Sequence, residues 1–273
     1  MGQQGATREA LSQPFGILGG TSCSPAARQL EPALSHSPLD DQSLLVVLSG
    51  AGLSAASGVP TFRDKDGLWE GYEITQVATP QAWFADRDLV RRFDSERRLA
   101  CARVEPNDGH YALARLQAEL GLDRVVLVTQ NIDGLLQKAG CRDVIEMHGS
   151  LWRLRCEHKP GHGTIEFLAA QDGSEACDRC GAAMRPDVVW FGEMPYFMNR
   201  IGECLSRCTT FVSVGTSGVV YPAAGFVAEA CARGAHCIEV NPQPAGGPFH
   251  EVISRGSEKA LPELARRWLG PQS

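Results

Sequence analysis

The sequence predicts an α/β fold: a doubly wound, mostly parallel, Rossmann-like sheet that carries a small inserted module. Three observations carry that reading. Short apolar, β-branched runs alternate with helical patterns between residues 41 and 273. Each run ends in a glycine-rich or polar turn. Residues 151–187, rich in Cys, His, Gly and charge, break the alternation without a long periodic element of their own.

Residues 1–40 hold Gly19-Gly20, Ser24-Pro25 and Ser37-Pro38 and show no hydrophobic period, so they read as a flexible tail. The first strand is expected at 44–49. It runs into Gly50-Ala51-Gly52-Leu53-Ser54-Ala55, a G-x-G-x-x-A turn that suits close backbone approach to a pyrophosphate at a helix N-terminus. Alone, such a turn is as often a plain strand-to-helix connection. Helices follow at 88–103 and 109–120, then a strand at 124–129. That strand ends in Gln130-Asn131-Ile132-Asp133 ahead of a helix at 132–139. Asn131 and Asp133 there suit a helix start, or a polar patch that orients a water and a cofactor amide. Strands at 211–215 and 236–241 end in Gly215-Thr216-Ser217 and Asn241-Pro242, with helices at 223–233 and 261–269. Parallel strands joined by helices place all four turns at the carboxyl edge of one sheet, where ligands bind.

Composition narrows the function. A chain of 273 residues with 43% hydrophobic content can bury a large core. Lys and Arg total 26 against 32 Asp and Glu, which argues against nonspecific nucleic-acid binding as the main task and leaves room for a local basic patch. No apolar run nears the ~20 residues of a membrane span, and no secretory pattern stands at the start. Ten cysteines contain one C-x-x-C pair, Cys177 and Cys180, which favours free thiols or a metal site over a disulfide framework. The expected compartment is the cytoplasm. Met147-His148-Gly149 offers one histidine, more often an ordinary side chain than a catalyst, though a single neutral imidazole suffices as a general base.

Further motifs carry a family resemblance. Gly50-Ala51-Gly52-Leu53-Ser54 continues into Gly58-Val59-Pro60-Thr61-Phe62-Arg63. Thr129 to Asp133, His148-Gly149, Val188-Val189-Trp190-Phe191-Gly192-Glu193, and Gly215-Thr216-Ser217 with Val219-Val220-Tyr221-Pro222 follow in order. Over residues 42–270 the chain resembles the sirtuins, and Asp66-Gly67-Leu68-Trp69 with Ala78-Thr79-Pro80 resembles the bacterial class III deacylases among them.

The resemblance implies an enzyme that removes acyl groups from lysine in acylated proteins while consuming NAD. It yields nicotinamide, O-acyl-ADP-ribose and free lysine. Gly50, Ala51, Gly52, Ser54 and Ala55 would cradle the pyrophosphate. Thr61, Phe62, Arg63 and Trp69 would lie over the nicotinamide ribose. Gln130, Asn131, Ile132 and Asp133 would hold that ribose, the amide and a water. Gly215, Thr216, Ser217, Asn241, Pro242, Gln243 and Ser257 would line the adenosine side. His148 would be the base, with Asn131 beside it in the catalytic set. Ala78, Val189, Phe191, Gly192, Glu193, Val220 and Tyr221 would receive the acylated segment.

Two positions depart from the pattern. Succinyl- and malonyl-preferring class III members carry Tyr-x-x-Arg, whereas this chain has Asp94 and Arg97. An i,i+3 pair there would compete with an anionic acyl group, or would be an ordinary surface pair. The family's structural zinc uses two C-x-x-C pairs. Cys156, Cys177 and Cys180 are present, but Lys159 stands in the fourth place. His158 or His162 would complete a Cys3His set; otherwise packing alone holds the module. Two alternatives stay open on sequence: a protein ADP-ribosyltransferase on the same fold, and a nonenzymatic NAD sensor. A dehydrogenase is disfavoured, since no acidic residue stands cleanly about 20 positions beyond the glycines.

Overall fold

The structure, a computed structural model, describes residues 39–40, 42–61, 68–69 (backbone only) and 71–270. The tail expected at 1–40 lies outside these residues except for Leu39 and Asp40.

Strand β1 (Leu45–Ser49) is buried along its whole length, as an unbroken apolar run requires when both sheet faces are covered. Its side chains alternate between two cores. Leu45 and Val47 join one, Val46 and Leu48 the other. After β1 come two 3-10 turns, Ala51–Leu53 and Ala55–Ser57, and no long helix. The expected helix N-terminus is therefore absent. Gly58, at φ 90°, ends the second turn in a left-handed conformation that suits glycine. A two-residue hairpin, β2 (Leu68–Trp69) and β3 (Tyr72–Glu73), precedes α1 (Ile74–Val77) and α2 (Pro80–Ala85). Thr79 caps α2 by accepting from the Ala82 N–H, with Pro80 at the first helical position.

Helix α3 (Arg87–Cys101) is capped by Asp86, whose side chain accepts from the Leu89 N–H. Helix α4 (Asp108–Leu120) starts one residue before the expected 109 and is boxed by Asn107 and His110. Strand β4 (Val125–Thr129) is followed by α5, only Leu135–Lys138, in place of the expected 132–139. Gly134 explains the delay: it sits at φ 76°, and a Cβ on it would meet the Trp152 indole nitrogen at 2.4 Å. The edge strand β5 (Ile145–Glu146) was not expected.

The module at 151–187 contains more regular structure than the sequence suggests. Strands β6 (Gly149–Cys156), β7 (Thr164–Glu166) and β8 (Met184–Val188) form an antiparallel sheet in the order β7-β6-β8. Helix α6 (Met198–Arg207), also unexpected, precedes β9 (Thr210–Val214). A 3-10 turn at Ala223–Gly225 leads into α7 (Phe226–Ala232), together covering the expected helix. Strand β10 (His236–Val240), strand β11 (Glu251–Ile253) and helix α8 (Ser257–Leu269) complete the fold, with Pro262 inside the last helix.

The main sheet has six parallel strands in the order β11-β10-β9-β1-β4-β5. Helices α4 and α8 cover one face through Leu113, Leu116, Leu261, Leu264 and Trp268. Helices α6 and α7 cover the other through Ile201, Leu205, Phe226 and Ala230. From β1 the chain proceeds to β4 on one side and later to β9 on the other. The carboxyl edge between β1 and β9 is thus the switch point, where two turns diverge and leave a crevice.

At that crevice the Gly50 N–H donates to the Val214 carbonyl and the Gly52 N–H to the Gly215 carbonyl, both at 2.9 Å. A Cβ on Gly52 would lie 2.6 Å from the Gly215 Cα. Gly52→Ala is expected to cost about 1–3 kcal/mol, because backbone rather than a movable side chain blocks the methyl. Gly202→Ala, within α6 and with open space at its Cβ, should instead gain about 0.5–1 kcal/mol. Urea midpoints of the two variants check both signs.

Candidate functional site

A cleft of about 1130 Å³ opens at the carboxyl ends of β1, β4, β9 and β10. Gly50, Ala51, Gly52 and Ala55 line it from the first turn, with Thr61 beyond. Gln130, Asn131, Ile132 and Asp133 line it from the second. Gly215, Thr216 and Ser217, then Asn241, Pro242 and Gln243, close the far side. The Asn241 amide donates to the Thr216 carbonyl at 2.8 Å, so the β9 and β10 turns are tied together.

Two predicted residues lie behind the cleft wall, and three others fall, wholly or in their side chains, outside the described residues. Ser54 is fully buried behind the turn. Ser257 is also buried and donates to the Gly52 and Leu53 carbonyls at 3.4 and 3.3 Å, so it supports the glycine turn from beneath and does not line the cleft. Trp69 lies in β2, and its side chain, like all of Phe62 and Arg63, falls outside the described residues.

Ser54 is a hub. Its hydroxyl donates to the Asp133 carboxylate at 2.7 Å. The Asn131 amide donates to it at 3.3 Å and to the Gly50 carbonyl at 3.0 Å. Asn131 therefore does not cap a helix. Asp133 uses its other oxygen to accept from the Leu135 N–H, the first of α5, which starts after Gly134. Beneath them lies His110, a residue that sequence reasoning missed. Its Nδ1 accepts from the Asn107 N–H at 3.2 Å, which leaves the proton on Nε2, 3.4 Å from the Ser54 hydroxyl. Burial pushes the His110 pKa down to about 4. The only signal in the sequence was its place at N3 of a capping box, a common surface role.

His148 lies between β5 and β6 and lines the same cleft. Its Nδ1 stands 3.1 Å from the Gln130 carbonyl. A carbonyl only accepts, so Nδ1 carries the proton and Nε2 is the basic atom. Burial lowers the imidazole pKa below its ordinary 6.5, against a raising effect of that carbonyl.

The far wall combines Val77 and Ala78 with Phe93, Asp94 and Arg97 of α3. Asp94 and Arg97 pair at 3.6 Å, with side chains 3% and 11% exposed. The surface-pair alternative is thereby excluded: both face the cleft. Val189, Phe191, Gly192, Val220 and Tyr221 form the rim, where Phe191 and Tyr221 are exposed. Glu193 also reaches the cleft, but its carboxylate accepts from Arg185 at 2.7 and 2.9 Å and from the Trp190 N–H at 2.9 Å. Against the effect of burial, Arg185 and Arg155 hold its carboxyl below the ordinary value. Glu193 therefore clasps the rim loop.

In the module, Cys156, His162, Cys177 and Cys180 bring their ligand atoms within 4.8 Å of one another. Cys156 Sγ lies 3.6 Å from Cys180 Sγ, and His162 Nδ1 lies 3.3 Å from Cys177 Sγ. A tetrahedron with Zn–S bonds of ~2.3 Å has S–S edges of about 3.8 Å, so this donor set fits zinc. His162 is thus the fourth member. His158 is exposed and lies 3.8 Å from the Glu157 carboxylate. A second group, Cys231, Cys237 and His250, has no such character. Burial pushes the Cys237 thiol up to about 12, it donates to the Ala235 carbonyl, and the His250 Nδ1 accepts from the Cys237 N–H.

Comparison with known proteins decides the family. Residues 50–222 match the Sir2 family. The chain belongs to the Sir2 family. An NAD-dependent protein deacylase of Caulobacter vibrioides is 47% identical over 234 residues, spanning 80% of this chain and 97% of that one. A Sir2 homolog crystallised with NAD superposes with a TM-score of 0.75 at 37% identity, over 83% of this chain and 89% of that one. A Sir2 complex with a p53 peptide and NAD+ gives 0.66 at 27%, over 82% and 91%. Among the described residues no helix is long and apolar enough to cross a membrane.

Two outcomes are expected. Metal analysis of this Sir2-family chain should find one zinc per chain, lost in His162→Ala and kept in His158→Ala. Equal zinc in both variants would remove His162 from the ligand set. Second, the unfolded chain protonates His110 near pH 6.5, whereas the folded chain resists until about pH 4. Its contribution is therefore complete above pH 6.5 and lost as pH falls towards 4. The loss should reach about 3 kcal/mol and shrink in His110→Gln, read from chemical denaturation across that range.

Proposed function

We propose that this chain is an NAD-dependent protein-lysine deacylase that releases nicotinamide, O-acyl-ADP-ribose and free lysine. The observation that carries the reading is His148: a cleft-lining imidazole whose Nδ1 proton is tied to the Gln130 carbonyl, which leaves Nε2 as a base. Its relatives are named NAD-dependent protein deacylases, and the cleft lies where a parallel sheet receives a nucleotide.

When bound, NAD would supply the ribose carbon that exchanges its bond to nicotinamide for one to the acyl oxygen, so that with water the acyl group ends on ADP-ribose and the lysine is freed. The chain's own residues do the rest. The Gly50-Ala51-Gly52 turn has no side chain at its two closest approaches and admits a pyrophosphate against the backbone. Asn131 and Asp133, fixed through Ser54, orient the nicotinamide ribose and its amide. His148 takes a proton from a ribose hydroxyl at Nε2. The apolar wall of Val77, Ala78 and Phe93 excludes water from the acyl group. An extended acylated segment lies along the rim at Val189, Phe191, Gly192, Val220 and Tyr221, whose exposed apolar surface suits it. Zinc, held by Cys156, His162, Cys177 and Cys180, supports the module and takes no part in the chemistry.

Nicotinamide release from an acetyl-lysine peptide with NAD, with loss of the acyl mass from the peptide, tests the proposal. His148→Ala should lose about 100-fold or more in kcat/KM while keeping its fold. A protein acceptor that gains ADP-ribose while the acyl mass stays would point to a transferase. Because a neutral imidazole is required and its pKa is depressed, the acid limb of kcat/KM should fall below pH 6.5. A limb above 6.5 would assign the base to another group.

A further inference from the structure

Glu239 is a buried acid that neither lines the cleft nor joins the metal cluster. It stands on β10, two residues before Asn241, and is 1% exposed. One carboxylate oxygen, Oε1, accepts from the Ala245 N–H at 2.7 Å and lies 3.5 Å from the Asn241 amide nitrogen. The other, Oε2, meets no hydrogen-bond donor among the described residues. Burying a carboxylate is costly, and an apolar side chain of the same size would serve packing better.

The segment that Glu239 holds has few other ways to be fixed. Residues 242–248 read Pro-Gln-Pro-Ala-Gly-Gly-Pro and form no helix or strand. The prolines leave N–H groups only on Gln243, Ala245, Gly246 and Gly247. Gln243 donates to the Asn241 side chain at 3.2 Å and Ala245 donates to Glu239. Two side chains at the end of β10 thus tether the segment. Ala245 also packs on the β9 turn, where a Cβ on Gly218 would meet the Ala245 Cβ at 2.6 Å.

We propose that Glu239 is a positioning residue for the adenosine end of the cofactor. It accepts from Ala245 and, with Thr216, steadies the Asn241 amide, so that Asn241, Pro242 and Gln243 face the cleft ready to bind. The inference rests on the reading of this end of the cleft as the adenosine side. Without the acceptor, a segment with two adjacent glycines gains conformers, and binding must then repay their loss. The effect falls on affinity and spares the chemistry. His148 follows β5, which three strands separate from β10, roughly 19 Å at the usual strand spacing. The role requires an acceptor rather than a charge, because an amide oxygen in the same place can take the Ala245 bond. A purely structural role would change stability and leave affinity alone.

Titration with ADP-ribose reads the affinity without turnover. Glu239→Met, similar in size but without the acceptor, should weaken ADP-ribose binding by about tenfold. Its KM for NAD should rise to match, with kcat on an acetyl-lysine peptide kept within about twofold. Glu239→Gln should bind ADP-ribose within about threefold of the native chain. A folded Glu239→Met protein with native affinity overturns the inference. So does one that loses kcat in place of affinity, or a Glu239→Gln protein as weak as Glu239→Met. If Glu239→Met does not fold, hydrogen exchange on the native chain decides. The Ala245 N–H should be protected and should exchange more slowly with ADP-ribose bound, and an amide that is unprotected or indifferent to ADP-ribose overturns the inference. A native chain that binds no ADP-ribose overturns the cofactor reading and this inference with it.

Discussion

The site depends on a contact between two pieces of backbone. The β1 turn and the β9 turn meet at Gly50, Gly52 and Gly215, with Gly52 and Gly215 so close that neither tolerates a Cβ. Gly215 also needs its φ of 58°. Because the Gly50 and Gly52 amides are satisfied by Val214 and Gly215, the two turns cannot drift apart without losing those bonds. The floor of the cleft is therefore set by main-chain geometry. Ser54, two residues beyond Gly52, is carried by the same turn to Asp133, Asn131 and His110. One steric constraint thus positions the glycine floor and the polar hub together.

From that hub, order extends along covalent structure. Asp133 holds α5 through the Leu135 N–H, and its carbonyl accepts from the Trp152 indole at 2.8 Å on β6. Strand β6 begins directly after His148 and ends at Cys156. Between them Arg153 pairs with Glu146 of β5 and Asp187 of β8, and Arg155 reaches Glu193. One strand thus runs from the base to the first residue of the metal cluster and carries Arg155, which reaches the clasp on the rim loop. Buried ion pairs of this kind add little net stability, but losing one partner strands the other charge, so they hold a specific geometry.

Legibility in the sequence followed the strength of local signals. Strands β1, β4, β9 and β10 are five-residue, mostly apolar runs buried over most of their length, and their carboxyl-end turns carried the cleft residues. Strands β5 and β11 are two and three residues long and lie at the sheet edges, too short for a period to show. Helix α6 begins after Phe197 at φ 59° without a side-chain cap, so no start signal existed. Strand β6 was hidden because half-buried Arg153 and buried Arg155 interrupt its apolar pattern, each paired with acids brought from other elements. His110 and Ser257 escaped or misled for the same reason. Each acts behind the cleft wall, through contacts 56 and more than 200 residues away in sequence.

The two departures from the family pattern resolve differently once the fold is known. At the metal cluster, Lys159 removes a side-chain ligand but not the backbone role of its position. The N–H groups of Lys159 and His158 point at the Cys156 sulfur and favour its ionised form, against burial. The chain then makes one further 3-10 turn, Pro160–His162, and returns an imidazole to the vacated corner. A ligand has moved along the sequence while the geometry of the cluster is kept. At the cleft wall Asp94 stands one helical turn from Arg97 and pairs with it. The first departure is thus confined to the inserted module, whereas the second faces the cleft.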